Sequence, residues 1–132
     1  MRRLLLPLLV LLVVLPAPSA RAGEWRQIHF PVAGPVTYTD DFGDPRSGGR
    51  THTGIDIMGA KLQHLIAAAG GRVSYIRTDS SGTSGNMLTI RDSAGWQYTY
   101  VHVNNDSPGT DDNANPAQWI FTPGISLGAT VT

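Results

Sequence analysis

The sequence predicts an all-β fold of short antiparallel strands joined by turns. Beyond residue 23, no segment shows a long apolar period of 3.6 residues, and glycines and prolines interrupt the chain at short intervals. Several segments instead alternate apolar and polar residues, which is the period of a half-buried strand. Together, the period of two and the frequent turn residues favour strands over helices.

The amino-terminal residues do not belong to that fold, because they have the pattern of a secretory signal peptide. Arg2 and Arg3 precede an apolar run from Leu4 to Leu15, and "PAPSARA" then offers a small-x-small cleavage site ending at Ala22. A membrane anchor is the competing interpretation, but the run is shorter than the roughly 20 apolar residues of a spanning helix. We therefore expect residues 1–22 to be removed on export. The mature protein, without a transmembrane anchor, is expected to be secreted, either extracellular or associated with the cell wall.

The remaining residues, 23–132, are enough for one compact domain. Removal of a leader that contains Arg2, Arg3 and Arg21 lowers the formal net charge from zero to −3. The sequence has neither a basic stripe nor a nucleic-acid-binding motif, so we expect no nucleic-acid partner. It also contains no cysteine. An exported domain without disulfides must be stabilised by its core or by a bound metal.

The predicted strands follow one another along this domain. Two extended pieces lie in "FPVAGPVTYTDDFG", separated by Gly34 and Pro35. "GRVSYIR" and "NMLTIRD" alternate apolar and polar residues, and "DSAG", residues 92–95, has the composition of a hairpin turn. The only helix candidate is "AKLQHLIAAAG", residues 60–70, although residues 66–69 could equally begin a buried strand.

The next strand, "WQYTYVHV", carries an aromatic face. Its period of two places every second residue on one side of the sheet: Trp96, Tyr98, Tyr100 and His102. The polar residues 104–124 then form a segment too long for a hairpin loop, and such loops are often functional. Their "TDDNAN" lacks the Asp-x-Asp-x-Asp-Gly spacing of a calcium loop, which favours a solvated loop.

The stretch "RTHTGID", residues 50–56, places His52 and Asp56 on either side of Gly54. On a straight strand their Cα atoms would lie about 13 Å apart. Both could reach one ion only if the backbone bends, and Gly54 offers a place to bend. Zinc accepts an imidazole and a carboxylate as ligands, and without cysteine any zinc site would be of the catalytic kind. From spacing alone, the competing interpretation is that His52 bonds a backbone carbonyl while Asp56 caps a turn.

"RTHTGIDI" resembles the Arg-x-His-x-Gly-x-Asp-Ile signature of the lysostaphin-type (LytM-like) zinc metalloendopeptidases, which cut peptide bonds in bacterial peptidoglycan. "FPVAGPVTYTDDFG" resembles the lead-in strands of that family, "LIAAAGGRVSYI" its Val-x-Ala-x-x-x-Gly-x-Val segment, and "GNMLTIRDSAGWQYTYVHV" its hairpin ending in Tyr-x-His. These matches follow the family's order over residues 29–132. The resemblance implies an antiparallel, two-sheet β-sandwich-like domain of the duplicated hybrid motif type in residues 23–132.

The resemblance also implies roles for three residues. His52 and Asp56 match the family's first two zinc ligands, and His102 matches its catalytic histidine. Zinc lowers the pKa of a bound water toward about 7 and polarises the scissile carbonyl, while an imidazole can exchange a proton near neutral pH. Without the resemblance, His102 at the end of an aromatic strand face would be interpreted as a packed structural histidine.

One expected part is missing from the sequence. In the family the third zinc ligand belongs to a His-x-His motif, and this chain contains none, so we expect a partial domain that stops before the motif and lacks its closing strands. His29 and His64 are the remaining histidines, but nothing in their spacing fits a zinc site. Unpaired strand edges would also make such a domain marginally stable.

Three functions remain open from the sequence. The first is a zinc endopeptidase acting on peptidoglycan peptides, impaired by the absent ligand. The second is a non-catalytic relative that binds the cell wall or regulates another hydrolase. The third is a small carbohydrate-binding β-sandwich, indicated only by three tryptophans: Trp25, Trp96 and Trp119.

Overall fold

A computed structural model of the protein describes residues 25–132. The predicted signal peptide, residues 1–22, lies outside this range. Among the described residues, the structure contains no helix with the length and apolar character needed to span a bilayer.

Regular structure within residues 25–132 consists of short strands and two 3-10 turns. The strands are β1 (Thr37–Tyr38), β2 (Pro45–Arg46), β3 (Arg50–Thr51), β4 (Ile57–Met58), β5 (Gly71–Arg77), β6 (Asn86–Arg91), β7 (Gln97–Val103) and β8 (Thr130–Val131), and the 3-10 turns are Ser47–Gly49 and Ala117–Trp119. Every pair of neighbouring strands is antiparallel. The predicted all-β, antiparallel fold class is therefore confirmed.

The largest sheet has the strand order β7-β6-β5-β8. Its three long strands are the segments that alternate apolar and polar residues in the sequence, and the turn between β6 and β7 is closed by the Gly95 amide donating to the Asp92 carbonyl. Val73 on β5 pairs with Ile90 on β6, and both are almost fully buried. The buried hydrophobic residues of the described chain are few: Ala68, Val73, Ile90, Val103 and Ile120.

The predicted aromatic face of β7 holds only as far as Tyr100. Tyr98 and Tyr100 are half-buried between exposed neighbours, but the register between β6 and β7 shifts before Val103. His102 lies in this irregularity with a φ of 54°. An extra residue in one strand reverses the alternation that follows. As a result, Val103 is buried and His102 is exposed.

The helix candidate, residues 60–70, is not helical, and residues 66–69 do not begin a strand. This segment pairs instead with the chain around residues 31–33. The Ile66 amide donates to the Pro31 carbonyl, the Ala33 amide donates to the His64 carbonyl, and Leu65 forms a bridge with Val32. A helix this short is marginal by itself, so backbone bonds to a distant segment determine its conformation.

Candidate metal centre

Two small ladders bring the candidate site together. β1 pairs with β4, with Tyr38 opposite Ile57. This pairing holds the two ends of residues 39–56 side by side. Between them, β2 and β3 form a hairpin around the 3-10 turn. Two further backbone bonds of 2.8 Å extend the hairpin, because the Gly43 amide donates to the His52 carbonyl and the His52 amide donates to the Asp44 carbonyl. The two ladders therefore meet at the stretch that contains His52.

Three potential ligands converge where the ladders meet. Asp41, His52 and Asp56 each offer one ligand atom, and these atoms lie within 4.8 Å of one another. The chain bends at Gly54, which lets His52 Nε2 approach to 3.3 Å from Asp56 Oδ1. The Asp56 amide in turn donates to Asp41 Oδ1 over 3.2 Å. We call Asp41, His52 and Asp56 the donor group.

The donor group fits a zinc ion in ligand type, and its His52–Asp56 pair also fits in spacing. An imidazole with two carboxylates is an acceptable zinc ligand set. Two ligands that bind a tetrahedral zinc at about 2.0–2.1 Å lie about 3.4 Å apart, close to the 3.3 Å between His52 Nε2 and Asp56 Oδ1. The Asp56 side chain is 51% exposed, whereas those of His52 and Asp41 are mostly covered. The group is therefore open to solvent on the Asp56 side.

An arginine side chain from β2 reaches into the donor group. Arg46 Nη2 lies 2.8 Å from Asp41 Oδ2, 2.7 Å from His52 Nδ1 and 2.7 Å from Asp56 Oδ2. A guanidinium can only donate hydrogen bonds, so Nδ1 accepts, and a neutral ring then carries its proton on Nε2. The hydrogen bond to Asp56 raises the pKa of Arg46.

Asp41 is stabilised as a carboxylate within this arrangement. Partial burial raises the pKa of Asp41, but the hydrogen bond from the Asp56 amide has the opposite effect, and the pKa lies below its ordinary value. The Asp41 carbonyl oxygen also lies 3.1 Å from His52 Nδ1. Asp41 therefore contacts both His52 and Asp56, and it remains charged at neutral pH.

Sequence reasoning missed Asp41 and Arg46. The sequence feature that could have revealed them is the glycine pair in "DPRSGGR", which is typical of a tight turn. In the structure, Gly48 and Gly49 both adopt a φ of 73° in the turn between β2 and β3. A hairpin predicted at this pair folds residues 41–46 back onto residues 50–56. That step brings both missed residues to the motif.

The other predicted residues lie outside the donor group. His102 lines a cavity of about 660 Å³ together with Tyr100 and Trp119. Within residues 25–132, no hydrogen bond or ion pair joins its side chain to the group, so its catalytic role stays a prediction. Neither His29 nor His64 belongs to the group.

The comparison with protein families agrees with the motif. The model of Peptidase family M23 matches residues 50–121, which is more than half of the chain. The chain belongs to peptidase family M23. The predicted family resemblance is thereby confirmed, and the match includes His52, Asp56 and His102 of this M23 chain. Asp41 and Arg46 precede the matched residues. No curated protein and no solved structure is significantly similar to the chain.

Proposed function

We propose that this M23 chain is a zinc metalloendopeptidase that hydrolyses peptide bonds in bacterial peptidoglycan. The observation that supports the proposal is the convergence of His52 and Asp56, two donors of the family motif, with the Asp41 carboxylate. In this proposal Asp41 is the third protein donor, the number that a catalytic zinc site ordinarily has. The absence of a His-x-His motif then does not leave the metal with two ligands.

Each residue has a distinct task in the proposed site. His52, Asp56 and the Asp41 carboxylate would hold the metal. Once Arg46 no longer donates to Nδ1, that nitrogen can carry the proton and donate to the Asp41 carbonyl, which would orient the ring as partners of ligating histidines commonly do. When bound, zinc supplies polarisation of the peptide carbonyl and activation of a water molecule. His102 exchanges a proton with the reacting groups. The exposed side of Asp56 leaves room for a peptide to approach.

The proposed substrate is a peptide of the bacterial cell wall, reached after export. A second candidate is a non-catalytic relative that binds the wall or regulates another hydrolase. It is favoured by one observation: the Arg46 guanidinium contacts all three members of the donor group. If that contact persisted in the presence of zinc, the metal could not bind to the donor group. The protein could then still bind a wall peptide, but it could not hydrolyse it.

The test is release of new amino groups from purified peptidoglycan. We expect cleavage by the zinc-supplemented protein, and a loss of about a hundredfold or more in His52→Ala, because water activation depends on the metal. His29→Ala is the matched control, because His29 lies outside the donor group and contributes a backbone bond to Ala68. Equal cleavage by His52→Ala rules out the proposed mechanism. Wall binding without cleavage supports the non-catalytic candidate.

A further inference from the structure

A single nitrogen of Arg46 lies at the centre of the donor group. Nη2 contacts Asp41 Oδ2, His52 Nδ1 and Asp56 Oδ2 within 2.8 Å. This nitrogen carries two hydrogens, yet three acceptor atoms surround it. It therefore lies between the donors and not at their edge. These are the same three residues that offer ligand atoms to a metal.

Charge makes the guanidinium and a divalent metal alternatives at this position. Two carboxylates and a neutral imidazole attract one cation strongly, and the guanidinium already neutralises half of their charge. Arginine cannot lose its proton in a protein, so it would remain positive beside the metal. Like charges at such short range repel one another. Both cations cannot share the donor group.

The histidine ring is also unavailable while Arg46 is bound. Arg46 uses the lone pair of Nδ1, and Nε2 then carries the proton of the neutral ring. Withdrawal of Arg46 lets Nδ1 carry the proton of the neutral ring. Nδ1 can then donate a hydrogen bond to the Asp41 carbonyl, which lies 3.1 Å away. The Nε2 lone pair then faces the position beside Asp56 Oδ1, at a distance of 3.3 Å.

Arg46 can leave without unfolding the site. Its side chain is 36% exposed, and β2, which carries it, pairs with β3 over only two residue pairs. Rotation of the long side chain about its own bonds would place the guanidinium in water. Asp41 and Asp56 remain linked by the hydrogen bond from the Asp56 amide to Asp41 Oδ1.

We propose that Arg46 is an internal competitor of the metal. The donor group alternates between a state held by the guanidinium and a state held by the metal, and metal binding requires displacement of Arg46. This inference rests on the proposed function, because it assumes that His52 and Asp56 bind zinc.

The test measures zinc affinity of the full chain with a chelator-buffered titration. Arg46→Gln removes the competing charge, and we expect it to bind zinc about tenfold more tightly than the unmodified protein. Arg50→Gln is the matched control, because Arg50 lies on the same hairpin but its side chain bonds only Ser47 among the described residues. Its zinc affinity should not change.

A second measurement requires no substitution at the site. In nitrogen-15 spectra of the unmodified protein, saturating zinc should shift the Arg46 guanidinium signal and leave that of Arg50 in place. An unchanged Arg46 signal at saturation overturns the inference. This result remains informative if Arg46→Gln does not fold.

Failure of the inference is distinguishable from failure of the proposed function. If the unmodified protein binds zinc and Arg46→Gln binds it equally or more weakly, Arg46 supports the ligands instead of competing, and the inference alone is wrong. If both proteins are folded by circular dichroism and neither binds zinc, the inference and the metallopeptidase proposal are wrong together. Zinc binding by Arg46→Gln alone supports the inference.

Discussion

Asp41 is the residue that connects the two halves of the histidine–aspartate motif. Its Oδ1 accepts the Asp56 amide hydrogen, and its carbonyl oxygen lies 3.1 Å from His52 Nδ1. A carboxylate held by its neighbours in this way needs little rearrangement to bind a metal. Asp41 therefore acts as both a donor and an orienting residue in the proposed site.

Removal of the Asp41 charge should weaken zinc binding. Asp41→Asn keeps the shape of the side chain and the backbone carbonyl but loses one anionic ligand, so we expect zinc affinity to fall by about 10–100-fold. Asp40→Asn is the control, since Asp40 is the adjacent carboxylate and lies outside the donor group. Equal affinities in the two variants would show that Asp41 does not bind the metal.

His102 should affect catalysis but not metal binding. It lies outside the donor group and lines the cavity of about 660 Å³, so His102→Ala should retain zinc while its cleavage rate falls by about 10²-fold or more. Zinc content and peptidoglycan cleavage measured on one preparation check both statements. Loss of zinc would make His102 a ligand, and undiminished cleavage would remove its proposed role.

The β6–β7 hairpin depends on the carboxylate that begins its turn. Asp92 Oδ1 accepts hydrogen bonds from the Ala94 and Trp96 amides, and Oδ2 accepts one from the Tyr98 hydroxyl. Burial raises the pKa of Asp92, but the hydrogen bonds from the Trp96 amide and the Tyr98 hydroxyl lower it. The lowering is the larger effect, so the pKa lies below its ordinary value. The hairpin is therefore stabilised by the charged form.

The lowered pKa of Asp92 predicts a loss of stability in acid. Its contribution is fully present above the unfolded-state pKa of about 3.9 and disappears as the pH falls through the lower folded-state pKa. Asp92→Asn should reduce Tm at pH 7 by roughly 5 °C, and the difference from the unmodified protein should shrink below about pH 4. Thermal melts at several pH values check this. A difference in Tm that stayed constant with pH would show that the charge of Asp92 does not cause the loss of stability.

Elements differ in how well the sequence predicts them. β5, β6 and β7 are long enough to show a period of two, whereas two-residue strands such as β1 and β2 carry no periodic signal. The shift of register at His102 leaves no mark on the alternation of residue types. Arg46 reaches the motif only through the hairpin, so the motif alone identifies His52 and Asp56 but not the cation between them.

The described molecule has a small core beside a cavity of about 660 Å³ with a mixed polar and apolar lining. Few hydrophobic side chains are buried, and several large ones are exposed, including Leu127 at 70%. Low apolar burial provides little stabilisation against chain entropy. The small core agrees with the marginal stability expected from the sequence, which stays a prediction.

A bound metal should compensate for part of that weakness. We expect a Tm below about 55 °C without metal, within the lower mesophile range, and an increase of several degrees with excess zinc, because zinc binds the folded state. Differential scanning calorimetry measures both values. A cooperative transition well above this temperature in the metal-free protein would contradict the argument from core size.

The stoichiometry of zinc binding tests the donor group most directly. Isothermal titration calorimetry of the full chain should show about one equivalent of zinc at neutral pH, with binding abolished in His52→Ala and retained in His64→Ala. Absence of binding in both the unmodified protein and Arg46→Gln, or the same affinity after His52→Ala, would show that Asp41, His52 and Asp56 do not form a metal site.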